Sequence, residues 1–201
     1  MLRRFLAVFV AALVVIPSAA AVRVHVRVEG KTHTIFGATA PVVDVKANAL
    51  DALETASNAG EFYYHVQPTQ FGPYVDQIAR YGASGQAGWV FKVNGKSPPV
   101  GADAFSLKDG DTVLWYWATF GDAGGPNTLV LERAAGKGCY RIYTEDDNGV
   151  RAAAAGAVLH VGRSRTVRTQ GATQAAVGCV GKHHELVRAT LSGAVRSNAL
   201  G

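Results

Sequence analysis

The chain is poor in the residue patterns that announce chemistry. It has only two cysteines, Cys139 and Cys179, and they are 40 residues apart, with no Cys-x-x-Cys. That spacing argues against a redox pair or a zinc knuckle. No Gly-x-Ser-x-Gly surrounds Ser57, Ser84, Ser97 or Ser106, so no acyl-transfer elbow can be assembled from them. No His-Glu-x-x-His occurs. The one dense group of ligand types, His183-His184-Glu185, would send its two histidines to opposite faces of a strand and reads as a solvated loop. Gly82, Gly85 and Gly88 have a spacing foreign to phosphate loops. Glu145-Asp146-Asp147-Asn148 lacks the alternation of a calcium loop and reads as a turn closed by Gly149. Heptads, repeats and low-complexity tracts are absent. No enzyme, no metal and no resident cofactor are expected, and a chain without a recognition motif is not expected to bind nucleic acid.

Long apolar runs are equally scarce. Phe5 to Ile16 is the longest, preceded by Arg3 and Arg4 and followed by Pro17 and Ala19-Ala20-Ala21. A bilayer crossing takes about 20 such residues. The segment therefore predicts a cleaved signal peptide over residues 1–21, and a secreted or cell-surface protein with no stable membrane span after cleavage. In that compartment the cysteine pair is expected as a Cys139–Cys179 disulfide.

Charge is unevenly distributed. Residues 22–129 carry 8 basic and 10 acidic side chains, residues 130–201 carry 10 and 5. The basic half could meet an anionic cell-surface polymer, although a solvated surface explains the same balance. Aromatic residues are divided more sharply still. Thirteen lie between Phe62 and Phe120, and only Tyr140 and Tyr143 lie beyond Val130.

The order of patterns predicts an α+β region followed by an all-β one. Val22 to Val28 alternates as a strand, Glu29-Gly30-Lys31 turns, and Thr32 to Phe36 returns. Val45, Ala49, Ala52, Leu53 and Ala56 share one face at helical spacing, with a stop expected at Asn58-Ala59-Gly60. Strands are predicted at Phe62 to Val66 and Tyr74 to Ile78. Two aromatic strands follow, Trp89 to Val93 and Thr112 to Trp117, with Asn94-Gly95 and Asp109-Gly110 as turns. Trp89, Phe91 and Val93 share a face, as do Val113, Trp115 and Trp117; Leu114 and Tyr116 point the other way.

The first hairpin, the Ala49 to Leu53 helix, the Trp89 to Gly95 strand and turn, and Leu107-Lys108-Asp109-Gly110-Asp111 together resemble the C-terminal β-grasp domain of transcobalamin and intrinsic factor. They are still more similar to its exported bacterial relatives. The resemblance covers residues 22–121 and implies a β-grasp sheet with one helix. It also implies corrinoid (cobalamin) binding, for which a separate partner chain would have to supply the second wall. Residues 122–128 read as a linker. Residues 129–201 carry short strands at Thr128 to Arg133, Tyr140 to Thr144, Val158 to Val161, Thr166 to Thr169 and Leu186 to Leu191. They predict a small β-sandwich, and Ala155 to Gly162 and Ala189 to Ser197 resemble carboxypeptidase-regulatory or immunoglobulin-like repeats.

One Ala-rich helix cannot cover thirteen aromatic rings. The surplus is expected either to seat the second module or to bind an exported protein or a small ligand. Tyr63, Tyr64, Lys92, Trp115, Tyr116 and Trp117 are the candidate binding residues, with Lys92 facing outward beside Val90. The leading expectation is an exported non-enzymatic binding or interaction protein.

Overall fold

The structure is a computed structural model and describes residues 21–122, 124–169 and 176–201. The proposed signal peptide lies outside the described residues, apart from Ala21. Strand β1 (Val22–Glu29) follows the alternation in the sequence, with Val24, Val26 and Val28 fully buried. Strands β2 (Thr34–Phe36) and β3 (Val42–Val45) share one edge of β1, both antiparallel to it. Helix α1 (Ala49–Gly60) follows and buries Ala49, Ala52, Leu53, Ala56 and Ser57. A small sheet comes next: β4 (Tyr64–Thr69), β5 (Gly72–Ile78) and the short β6 (Tyr81–Gly82). Then β7 (Ala87–Val93) pairs antiparallel with β8 (Thr112–Thr119), and β8 lies parallel to β1. The result is a five-stranded mixed sheet with β7 at one edge and α1 across one face.

Val45 belongs to β3, not to the helix that the sequence spacing predicts. The helix starts later because Asn48 caps it. The Asn48 side chain accepts from Asp51 N at 2.9 Å, and Asp51 Oδ2 accepts from Asn48 N at 3.2 Å. This reciprocal box fixes the first turn and contributes about 1 kcal/mol. The helix ends at Gly60 as expected, but Glu61, not a glycine, takes the left-handed cap position at φ 51°. His25 faces Val42 across the β1–β3 pair.

The second half is built from β9 (Thr128–Arg133), β10 (Cys139–Glu145), β11 (Arg151–Ala153), β12 (Val158–Val161), β13 (Arg165–Arg168), β14 (Ala176–Cys179) and β15 (Val187–Thr190). Strand β10 carries β9 on one side and β11 and β14 on the other. Strand β12 lies between β13 and β15. The two sheets share a core of Leu129, Leu131, Tyr140, Ile142, Leu159, Val161, Val187 and several alanines. Cys139 and Cys179 sit opposite each other in the β10–β14 register and form the disulfide. Strand β9 begins at Thr128, as the Thr128 to Arg133 pattern predicts, so the last residue of the 122–128 stretch read as a linker belongs to the strand. Among the described residues no helix is long and apolar enough to cross a membrane.

Both faces of the five-stranded sheet are covered. The face carrying Val24, Trp89, Val113 and Trp115 meets α1. The opposite face carries Leu114, Tyr116 and Ala118, which pack with Val90 against Val195 of the second module.

Candidate functional site

Strand β7 is the edge of the sheet, and its hydrogen-bond parity determines what that edge offers. Asn94 N donates to Thr112 O at 2.9 Å, and Phe120 N donates to Gln86 O at 2.9 Å. In the observed antiparallel register these bonds assign the even-numbered residues of β7 to β8. The odd-numbered residues therefore turn their N–H and C=O groups outward. Ala87 spends them on Ser84, and Val93 on Lys96. The Tyr74 hydroxyl lies against the Gly88–Trp89 backbone, within reach of the Trp89 N–H. That close approach explains the glycine at 88, since a side chain there would strike the Tyr74 hydroxyl. Among the described residues both polar groups of Phe91 have no backbone partner, because no strand pairing joins β5 to β7.

This open edge lies in an apolar cleft of about 350 Å³. Tyr74 and Pro73 of β5 form one wall, Trp89, Val90 and Phe91 of β7 the other, and Phe120 and Pro98 flank it. Phe91 stacks on Trp115 with ring centroids 5.1 Å apart, so the cleft floor is a rigid aromatic layer. Tyr74 and Phe120 are 39% and 38% exposed, enough for a ligand to reach them. The volume lies at the small end of ordinary ligand pockets.

The six residues expected from sequence do not meet in one place. Trp115 is 2% exposed in the core, and its Nε1 donates to Ala49 O at 3.1 Å. Tyr116 is as deeply buried on the opposite face, with its hydroxyl 3.4 Å from Asp147 Oδ1. Only these two border the cleft. Trp117 packs edge-on against Trp89, and its buried Nε1 has no partner among the described residues. Tyr63 is exposed and Tyr64 is half-buried against the core, both away from the cleft.

Lys92 is not on a free surface. It is 1% exposed, and its Nζ donates to the carbonyls of Asp146 at 2.7 Å and Glu145 at 3.1 Å, with Asp147 Oδ1 at 3.5 Å. The alternation correctly turned it away from α1, but the second module covers that face. Burial lowers its pKa, against the opposing pull of Asp147, Glu145 and Asp146. Sequence reasoning missed Tyr74, Pro98 and Phe120 as cleft residues. The parity of β7 was readable in principle, but the position of β5 was not.

His183 donates or accepts at the Tyr140 hydroxyl, 2.8 Å away, and bonds the Glu185 carbonyl at 2.9 Å. Among the described residues no group of three or more His, Cys, Asp or Glu is placed to hold a metal ion.

Tyr116 gives a pH prediction. Burial, and secondarily Asp147, push its hydroxyl pKa well above the ordinary tyrosine value. An acid whose folded pKa is raised contributes stability that is full below the unfolded pKa, about 10, and is lost as pH rises beyond it. Lys92, shifted downward, has the opposite sign. Comparison with Tyr116→Phe separates the two. The wild-type denaturant midpoint is expected to fall more steeply above about pH 10 than that of Y116F. Parallel decline of the two proteins would show that Tyr116 is not sealed.

Residues 46–119, from just before α1 to the end of β8, match a family model described as a domain of unknown function, DUF4430. No curated protein matches the chain.

Proposed function

We propose that the chain is an exported, non-enzymatic binding protein that takes a flat apolar ligand into the cleft beside β7. The observation that carries this reading is the aromatic cleft itself, open to solvent and holding backbone groups of Phe91 that pair with none of the described residues. An extended peptide or a planar ring with polar edges would match both features, the rings by stacking and the edge by hydrogen bonding. The parallel pairing of β1 with β8 and the single helix crossing between them support a β-grasp assignment of the transcobalamin type. The two facing sheets of the second half support a small immunoglobulin-like or carboxypeptidase-regulatory-like sandwich.

Corrinoid binding is the second reading, and it rests on the same resemblance. A cleft of about 350 Å³ would hold only the edge of such a ligand, so a separate chain would have to cover the rest. Arg163, Arg165, Arg168 and Arg188 are exposed on the second module and are the residues that would face an anionic polymer.

The test uses anilinonaphthalene sulfonate as the apolar probe and cobalamin beside it. The double variant Tyr74→Ala, Phe120→Ala removes two half-exposed rings and is expected to melt like the wild type. Two aromatic contacts at about 1 kcal/mol each predict probe binding weaker by roughly ten-fold or more. Unchanged probe affinity in the double variant would reject the cleft. A visible-absorbance shift with cobalamin, lost in the same variant, would favour the corrinoid reading.

A further inference from the structure

A second cleft, of about 490 Å³, lies on the seam between the two modules. The alternation of β1 creates its floor. The valines point to the core, so His25, Arg27 and Glu29 point the other way, where the second module closes over them. Arg27 lines this cleft from β1, and Glu145 lines it from β10.

Arg27 is 7% exposed. Its Nη1 is occupied, donating to Glu29 Oε1 at 3.0 Å and to the Arg196 carbonyl at 2.7 Å. Its Nε and Nη2 make no hydrogen bond with the described residues. They are not sealed either, because Trp117 Nε1 is the only fully buried, unpartnered side-chain nitrogen or oxygen among the described residues. Glu145 is 6% exposed. Its Oε1 accepts from Arg151 Nε at 2.8 Å, while Oε2 accepts from nothing described. Gly95 stands against this carboxylate at φ +81°, and a side chain there would collide with it. One cleft thus holds the open edge of a buried guanidinium and the open oxygen of a buried carboxylate. Buried polar groups are normally paired, and a guanidinium fork matches a carboxylate in geometry as well as charge.

The surrounding charges restrict what can enter. Arg27 and Arg196 share Glu29, Lys92 faces Asp147, and Arg151 pairs with both Glu132 and Glu145, so four cations meet four carboxylates. A dianion would find cations already neutralised, with Glu145 Oε2 repelling it. A molecule with one carboxylate and one ammonium satisfies both open groups and brings no net charge out of water. Leu114, Leu129 and Val130 supply an apolar wall for the carbon chain between them.

We propose that the seam cleft binds a small zwitterion, with its carboxylate on Arg27 Nε and Nη2 and its ammonium on Glu145 Oε2. Burial lowers the Arg27 pKa even with Glu29 beside it, and a bound carboxylate would oppose that shift. Such a ligand touches β1 and β10 at once. It therefore binds the docked arrangement of the two modules and stabilises the chain as a whole.

The test is calorimetric titration and thermal melting of the full chain with leucine and with a spacing series: glycine, β-alanine, 4-aminobutanoate and 5-aminopentanoate. Butanoate, butylamine and inorganic phosphate are the single-charge and dianion controls. At least one amino acid is expected to bind and raise Tm, with the amine-free acid and phosphate weaker by about ten-fold or more. Glu145→Gln keeps the side-chain shape. It is expected to weaken the amino acid by about ten-fold while leaving butanoate unchanged. Arg27→Gln is expected to abolish both, and where that variant does not fold, E145Q alone decides. The proposal is overturned if no member of the series gives heat or a Tm shift, if butanoate or phosphate binds as tightly as the best amino acid, or if E145Q binds that amino acid unchanged.

Discussion

Glu29→Ala is expected to destabilise the chain by about 3–5 kcal/mol, the cost of removing one partner from a buried ionic group. Glu29 is fully buried. It accepts from Arg27 Nη1 at 3.0 Å, from Arg196 Nε at 3.0 Å and from the Thr34 hydroxyl at 3.0 Å. Without it two largely buried guanidinium groups lose the carboxylate that bonds both of them. Glu29→Gln keeps oxygen and shape but loses charge, and it should fall between the wild type and alanine. The loss has a location as well as a size. Arg27 and Glu29 stand on β1, and Arg196 belongs to the C-terminal segment of the second module, so the substitution cuts a tie between the two halves. Denaturant unfolding read by tryptophan fluorescence measures the first half, because Trp89, Trp115 and Trp117 all lie there. A loss below about 1 kcal/mol for E29A would mean that the seam is wet and the ion pairs behave as surface pairs.

Local patterns were legible where they depended only on alternation or turn chemistry. The strands at Val22, Trp89, Thr112, Thr128 and Val158, the core valines of β1, and the opposed faces of β8 all follow from period-two patterning. The disulfide followed from compartment and count. Apart from the helix start, which the local Asn48 cap sets, the failures share one cause: each depended on what packs against an element from elsewhere in the chain. Lys92 reads as outward-facing and Glu29 as a turn residue, yet both are buried where residues of the distant module meet that side of the sheet. Strands β11 and β14 were missed because Arg151–Ala153 and Ala176–Cys179 carry short, weakly patterned sequences that become strands only by pairing with β10. The cleft beside β7 could not be read because it is a gap between two strands that do not pair. Of the six rings and side chains that the aromatic surplus singled out, only Trp115 and Tyr116 border the cleft. Trp115 and Tyr116 are buried on opposite faces of the sheet, and Tyr74 and Phe120 are the half-exposed rings of the cleft.

Removing the Cys139–Cys179 bond, as the double variant Cys139→Ser, Cys179→Ser or by reduction, is expected to cost about 4 kcal/mol on the chain-entropy estimate for a 40-residue loop. The second module has little else to absorb such a loss. Its buried set includes Ala154, Ala157 and Ala189, and Tyr140 is its only buried aromatic. Small apolar residues bury little area, and a module of this size keeps only a few kcal/mol in reserve. The disulfide ties β10 to β14 and so holds β10 beside the rest of its sheet. Strand β10 also ends in Glu145, next to the carbonyls that receive Lys92. Loss of the bond is therefore expected to reach the first half in two stages. Tyrosine signals from Tyr140 and Tyr143 should change first. Tryptophan signals should follow at higher denaturant, once Leu114, Tyr116 and the buried Lys92 have lost their cover. A single transition at the wild-type midpoint would show that the two sheets hold without the cross-link. Simultaneous loss of tyrosine and tryptophan signals at a lower midpoint would show that the seam, with its buried lysine and its Arg27–Glu29–Arg196 cluster, makes the two modules one cooperative unit.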